Sequence, residues 1–298
     1  MNFRQIRLSD KKQAISCIEA SGSFSCDSSF VNMYVWGNIY QNLICFENGF
    51  LFRCGQGPNR FVYKFPLGGG DVSDALKLLE EDAAEHGKIP EFIGLTEENC
   101  EIIVKTLPHI PYSFQIMPGA SDYIYKASDL AELPGKKYHS KRNFLNRFER
   151  LYGSRSEIGG ITDRDFEEIL EFNKKWCEQN GCVHSRTLFR ETCAIKRAFA
   201  HYKKLSFEGL WLRVDGEIKA YTFASRLVEG VADVHVEKAD TDIIGAYAVI
   251  NNALAKMLSA RYTYINREED LEIPGLRQAK QSYHPAILLS KYSAKAVK

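Results

Sequence analysis

No run of about 18 consecutive apolar residues occurs in this 298-residue chain, and its opening Met-Asn-Phe-Arg-Gln-Ile-Arg lacks the apolar core of a secretory signal. Neither a helical membrane span nor export is expected, and the reading is a soluble, cytoplasmic protein. An excess of one charge is missing as well. The 39 Lys and Arg against 38 Asp and Glu leave a net charge of +1, so no overall field demands nucleic acid or an anionic membrane. Partners must be sought in local patches. The eight cysteines, at positions 17, 26, 45, 54, 100, 177, 182 and 193, include no C-x-x-C pair, which argues against a structural zinc. Several fall at apolar positions of expected helices and strands, which suits free buried thiols in a reducing compartment better than disulfides. No Walker motif, no G-x-G-x-x-G after a strand, no Ser-His-Asp order and no metal-ligand spacing rises above chance.

What is present is an order of elements that occurs twice. Residues 3–7 read as a strand, followed by a helix from near Ser9 with Ala14, Ile15 and Ile18 on one face, and a second helix carrying Phe30, Tyr34 and Trp36. Asn48-Gly49 between the apolar runs 43–46 and 50–54 signals a hairpin, and 60–65 supplies a third strand. After Gly68-Gly69-Gly70 comes a helix with Val72, Ala75, Leu76 and Leu79 at helical spacing, ending at Gly87. Strand 91–95, helix 97–107 and strands 112–116 and 122–126 complete the first half. The second half repeats the plan: strand 155–158, a helix opened by Thr162 with Asp165 at the capping-box position, a helix over 187–203, strands 206–214 and 217–227 joined at Asp215-Gly216, and strand 231–237. A helix from Gly245, strand 262–265, a helix over 274–282 and a strand over 286–292 follow.

Two domains are expected, 1–130 and 131–298, the second opened by a basic linking helix over 136–152. The order in each resembles the Gcn5-related N-acyltransferase fold, an α/β (α+β) class with a mixed, largely antiparallel sheet flanked by helices.

A narrower resemblance rests on specific runs. They are Ser28-Ser-Phe-Val-Asn-Met-Tyr-Val-Trp36, Phe65-Pro-Leu-Gly-Gly-Gly-Asp71, Gly135-Lys-Lys-Tyr-His-Ser-Lys-Arg-Asn-Phe-Leu-Asn-Arg-Phe148, His235-Val-Glu-Lys-Ala-Asp240, Gly245-Ala-Tyr247, Ile265-Asn-Arg-Glu-Glu-Asp-Leu271 and Gly275-Leu-Arg-Gln-Ala-Lys-Gln-Ser-Tyr-His-Pro285. Together they are similar to the bacterial family grouped with the C-terminal domain of phosphatidylglycerol lysyltransferase. The resemblance implies a tandem acyltransferase fold related to enzymes that move an aminoacyl group from its tRNA ester to an amine or a lipid hydroxyl. Lysyltransferases carry a membrane-embedded N-terminal region that this sequence does not show, so a small-molecule acceptor stands beside a lipid headgroup.

Candidate chemistry concentrates in the second half. Strand alternation puts Asp233, His235 and Glu237 on one face and Ala232, Val234 and Val236 on the other. If that face overlooks a cleft, Glu237 or His235 is a candidate base; otherwise it simply meets water. Beyond it, Gly245 opens a helix whose N-terminus could cradle a phosphate or serve only close packing. Coenzyme-A-dependent members of the fold keep Arg or Gln and a small residue where Asp242 and Tyr247 stand here. An acid beside a pyrophosphate repels it by about 1 kcal/mol, which favours aminoacyl-tRNA over acyl-coenzyme A as donor.

Asn266 could bind a donor amide, and Glu268 or Asp270 an α-ammonium group, against a plainer role as acids complementing a helix dipole. Arg277, Lys280 and Tyr283 lie three apart, on one side of a helix. The resemblance implies Tyr283 as the acid that protonates a leaving hydroxyl, with Lys280 steadying the oxyanion and Arg277 binding charge. Finally, 136–150 holds six Lys and Arg against Glu149, a balance of +5. Lys136, Lys137, Lys141, Arg142 and Arg147, with the five cations of 277–298, could grip the phosphates of a tRNA or of lipid headgroups, or form a solvated face. Two alternatives remain open at this point: a catalytically silent RNA-binding module, and a coenzyme-A-dependent N-acetyltransferase.

Overall fold

The computed structural model describes residues 1–179 and 186–297, with the side chains of 186–189 outside that description. In chain order the first half contains β1 (Arg4–Gln5), α1 (Lys11–Ser21), α2 (Phe30–Tyr40), β2 (Leu43–Glu47), β3 (Phe50–Cys54), β4 (Val62–Gly68), α3 (Val72–Ala84), β5 (Glu91–Leu95), α4 (Glu97–Thr106), β6 (Tyr112–Ile116) and β7 (Asp122–Lys126). Linking helices α5 (Ala127–Glu132) and α6 (His139–Tyr152) lead to β8 (Ser156–Gly160), α7 (Phe166–Gln179), α8 (Arg186–Ala200), α9 (Tyr202–Leu205), β9 (Glu208–Val214), β10 (Glu217–Val228) and β11 (Val231–Ala239). Then come α10 (Ala246–Ser259), β12 (Tyr264–Asn266), α11 (Pro274–Gln281), β13 (Ile287–Leu289) and β14 (Tyr292–Ala296). Among the described residues no helix is long and apolar enough to cross a membrane.

Local chemistry explains the matching turns. Asn48 and Gly49 have φ of 49° and 80°, and Asp215 and Gly216 have φ of 54° and 81°. Both central residues are left-handed, as a two-residue hairpin requires. Asp71 closes the triple-glycine stretch by accepting the Ser73 amide at 2.8 Å, so it serves α3 as an N-cap. Asp165 accepts both the amide and the hydroxyl of Thr162 at 2.8 Å.

The two sheets are built to one plan with a strand exchanged. The first runs β1-β2-β3-β4-β5-β14-β6 and the second β8-β9-β10-β11-β12-β7-β13. β7, coded by the first half, pairs antiparallel with β12 and β13, while β14 pairs with β5 and β6. The apolar run 286–292, expected as one strand, is two: it breaks at Ser290 and Lys291 and passes from one sheet to the other. Its physical reason is the Lys291 side chain, which is fully buried against acids between the sheets.

Apolar clusters also span the halves, and the one under α2 is an example. Phe30, Tyr34 and Val35 of α2 share it with Ile195 and Phe199 of α8 and with Tyr221 and Phe223 of β10. Each such side chain taken from water contributes about 2–3 kcal/mol. Of the cysteines, 17, 26, 45, 54 and 177 are buried and free, Cys100 is half-buried, Cys193 is exposed, and Cys182 lies outside the described residues.

Candidate active site

Strand β11 decides which side chains meet. Phe223 pairs with Val236 but the next residue, Ala224, pairs with Val234, leaving His235 as the extra residue of a β-bulge. The bulge reverses the alternation beyond it. Asp233 and His235 therefore face α2, whereas Glu237 turns to the other side of the sheet and meets α10. The expectation that all three share one face is corrected by that one inserted residue.

The pairing of β11 with β12 is parallel and covers only Val231 to Asp233 against Tyr264 to Asn266. Past that point no ladder bond joins them, and Arg267 fills the opening on the α10 side. Its Nη2 donates to Glu237 Oε1 at 2.7 Å, and Asn251 of α10 donates to Glu237 Oε2 at 2.9 Å. The Arg267 guanidinium lies 4.9 Å from the ring centre of Tyr283 and 5.6 Å from that of Tyr125. Lys141 of α6 sits over the Tyr283 ring at 3.9 Å while donating to Ser282 Oγ at 2.6 Å.

Burial pushes the Tyr283 phenol up, Arg267 pulls it down and Glu237 pushes it up again, leaving it well above the ordinary tyrosine value. Burial and then Arg267 push the Lys141 ammonium down to about 8, against the pull of Glu237. Arg267 Nη1 and Asn251 Oδ1 are buried here without a protein hydrogen-bond partner among the described residues. An unused donor and an unused acceptor thus flank one carboxylate, one phenol and two cations.

Across the sheet, a second polar group lies under α2. His235 Nε2 is 2.8 Å from Ser225 Oγ, and Nδ1 is 3.2 Å from Asn32 Oδ1, 3.3 Å from Glu268 Oε1 and 3.6 Å from Asp233 Oδ2. Burial, then the charges of Glu268 and Asp122, push the Asp233 carboxyl well above the usual range, while Lys291 and the Ser29 hydroxyl pull the other way. Next to this group Lys291 Nζ lies 2.7 Å from Asp122, 3.0 Å from Glu269 and 3.1 Å from Asp27. Burial lowers the Lys291 ammonium, and those acids with Cys26 raise it further, so it stays charged. Burial raises Glu269 to about 7, with Lys291 opposing.

The remaining candidates are spread around these two groups. Asn266 shares the α2 side with Glu268, because residues 265 and 267 alternate to the other; it donates to Phe24 O at 2.8 Å and Asp122 at 3.1 Å. Lys280 is buried and donates to the carbonyls of Arg267 and Glu269; burial and then Arg267 lower it to about 8. It thereby braces the segment carrying Arg267 and Glu268. Asp270 and Arg277 form a two-pronged pair at 2.7 and 3.0 Å, which Tyr123 extends at 2.6 Å.

Gly245 has φ of 88°, and a Cβ there would come within 2.6 Å of Phe144 O and 3.1 Å of Phe148 Cβ, so α6 packs directly on the N-terminus of α10. The helix expected over 136–152 begins at His139: Lys136 and Lys137 lie exposed in a 3-10 turn (Lys136–Tyr138) before it, Lys137 pairing with Asp129 at 3.3 Å, while on α6 Arg147 is exposed and Arg142 bonds the Leu133 and Gly135 carbonyls. A cleft of about 280 Å³ beside this helix is lined by His139, Arg142, Asn143, Asn146 and Lys256 among others. The cations of 277–298 do not add to that surface as a block, since Lys280 and Lys291 are buried and Arg277 is paired.

Sequence reasoning passed over Arg267, Asn251, Asn32, Asp122 and Lys291. Period-two alternation from Ile265 is the signal that could have found Arg267, but nothing local marks the others. Their roles come from contacts across 96 to 265 residues of chain for Asp122 and Lys291 with Cys26.

Known proteins share this architecture. A conserved protein of unknown function from Bacteroides thetaiotaomicron is 36% identical, with all of both chains covered and a TM-score of 0.94. L-PGS from Bacillus licheniformis superposes with a TM-score of 0.66 at 18% identity, over 96% of this chain and 92% of that one. Among curated proteins, an uncharacterized protein of Mycoplasmoides gallisepticum is 22% identical over 188 residues, 61% of this chain and 58% of that protein, so the chain spans under two thirds of that relative's length. Two mixed sheets with helices on their faces, each repeating strand, two helices, meander, helix, strand, helix and strand, make the fold tandem Gcn5-related N-acyltransferase-like. The family model described as phosphatidylglycerol lysyltransferase, C-terminal, matches residues 19–295, and the chain belongs to that family.

Proposed function

We propose that this chain transfers an acyl group, in the first place an aminoacyl group from its tRNA ester, to an amine or hydroxyl acceptor at the opening between β11 and β12. The observation that carries the reading is the meeting of Glu237, Arg267, Tyr283 and Lys141 beside two unused buried polar atoms. In acyl transfer the acceptor loses a proton, a negative oxygen develops on the acyl carbon, and the leaving ribose oxygen takes a proton. Glu237, fixed by Asn251 and Arg267, is the proton acceptor. Arg267 Nη1 and Lys141 face the developing charge. The Tyr283 phenol, held protonated by burial, donates to the leaving oxygen.

Lys280 is reassigned from oxyanion contact to positioning, because its ammonium is spent on two carbonyls. The packing of α6 on Gly245 takes up room that a pyrophosphate would need at that helix terminus, which favours an aminoacyl ester over coenzyme A. The acceptor is a lipid headgroup hydroxyl or a small amine. A silent polyanion-binding role for the exposed cations of α6 is the second reading.

The test is single-turnover transfer from a mixture of labelled aminoacyl-tRNAs, with phosphatidylglycerol vesicles and with soluble amines offered separately. Glu237→Gln and Tyr283→Phe should each slow transfer by about 100-fold or more. Turnover unchanged in both variants would remove the site from this reaction.

A further inference from the structure

We infer that Asp233, His235 and Glu268 are the protein ligands of a divalent transition-metal ion, of the class that includes zinc, seated between α2 and the β11/β12 junction. The three donor atoms lie within 4.8 Å of one another, with Nδ1 of His235 at 3.3 Å from Glu268 Oε1 and 3.6 Å from Asp233 Oδ2. An ion with tetrahedral bonds of about 2.0–2.1 Å separates its ligand atoms by about 3.3 Å. The Asn32 amide nitrogen stands 2.8 Å from the Glu268 oxygen and 3.3 Å from the Asp233 oxygen. The same nitrogen donates to Cys26 O at 3.1 Å, so the amide holds both carboxylate oxygens in place and leaves the fourth position on the ion to solvent.

Three independent observations support a cation at this point. The Asp233 carboxylate is fully buried and directed at His235 and Asn32, yet its Oδ1 has no hydrogen-bond partner among the described residues. Neither Asp233 nor Glu268 forms an ion pair with a lysine or arginine among those residues, in contrast to the adjacent acids, where Lys291 supplies the counter-charge. The far ring nitrogen of His235 contacts Ser225 Oγ at 2.8 Å, and Phe207 meets the ring edge-on at 5.5 Å. With Nε2–H donating to Ser225 Oγ, Nδ1 would turn its lone pair toward the two carboxylates, the tautomer a ligating imidazole requires. One imidazole with oxygen donors and no thiolate suits zinc, manganese or iron(II) better than copper(I).

Linear spacing conceals the site because its parts come from α2, from the bulge in β11 and from the turn after β12. The ion would join the two halves on the face opposite Glu237, so its binding is separable from acyl transfer.

Chelator-stripped protein, titrated with zinc and with manganese and followed by equilibrium dialysis with elemental analysis, should take up one ion per chain and unfold at a higher temperature when loaded. Asp233→Asn and His235→Ala should each weaken uptake at least tenfold and abolish the thermal shift. Cobalt should give a visible d–d band in the parent that both variants lose. His109→Ala, a change at the exposed His109–Glu80 pair, should leave all of this unaltered. Glu268→Gln preserves side-chain size should His235→Ala fail to fold. Uptake well below one equivalent, or full uptake retained in Asp233→Asn and Glu268→Gln, would overturn the assignment.

Discussion

Lys291 is a full ammonium with no exposed surface, held by three carboxylates at 2.7 to 3.1 Å. Such an arrangement adds little net stability over an apolar core, but removing one partner leaves buried charge behind. Lys291→Met should therefore cost about 3–5 kcal/mol in denaturant unfolding, and a cost under 1 kcal/mol would mean that the acids simply protonate at no penalty. The Asp270–Arg277 pair behaves differently because Arg277 reaches solvent. Burial raises the Asp270 carboxyl, but hydrogen bonds from Arg277 and Tyr123 lower it further, to about 2. A carboxyl depressed in the folded state adds stability above its ordinary pKa, near 4, and that contribution fades as pH falls toward 2. After discounting for solvent screening it is about 1 kcal/mol. Asp270→Asn should lose that much at pH 7 and progressively less as pH falls through 4 toward 2, read from unfolding midpoints across the range. Individual residues of this kind were only partly legible. The sequence marked Asp270 and Arg277 as charged neighbours of a helix, but not that each would neutralise the other.

Elements were more legible than the sides their residues present. Hairpins at 48–49 and 215–216 follow from turn chemistry alone, and the Thr162–Asp165 capping pair from side-chain type. A bulge carries no such mark. His235 is neither glycine nor flanked by glycine, and its extrusion from the ladder shows only in the register of β10 against β11. That single residue sends Glu237 to the α10 side and builds two sites where alternation predicts one. Helix α6 and the turn before it show the opposite case, where amphipathic spacing is sufficient: Tyr138 and Phe148 are buried while Lys136, Arg147 and Arg150 are exposed. If those cations bind tRNA phosphates, Lys136→Glu, Arg147→Glu and Arg150→Glu combined should weaken tRNA retention by at least tenfold at low salt. The salt dependence should become shallower, by about one unit of log–log slope for each phosphate no longer neutralised. Stability should stay within about 0.5 kcal/mol for each exposed substitution, which separates a binding defect from unfolding. Retention equal to the parent would remove α6 from the tRNA surface.

At the scale of the whole molecule the repeat was readable and the interlock was not. Element order shows two copies of one plan, but strand pairing between distant segments has no local signature, so nothing in 122–126 announces that β7 will lie between β12 and β13. The exchange has a mechanical consequence. A fragment ending near residue 130 keeps β5 and β6 without the strand that joins them, and a fragment starting there has β12 and β13 separated by the vacant place of β7. Each would also expose half of the apolar cluster in which α2 meets α8. Exposed edges and a divided core of that size leave neither piece with a cooperative native state. Fragments 1–130 and 131–298 expressed separately should therefore show no sharp thermal transition, and when mixed from denaturant they should recover one. The recovered complex should also regain the Glu237–Arg267–Tyr283 grouping, since Tyr125 of the first fragment lies against Arg267 of the second. A fragment that unfolds cooperatively by itself would show that each sheet closes without its exchanged strand, and that the two halves are joined rather than interlocked.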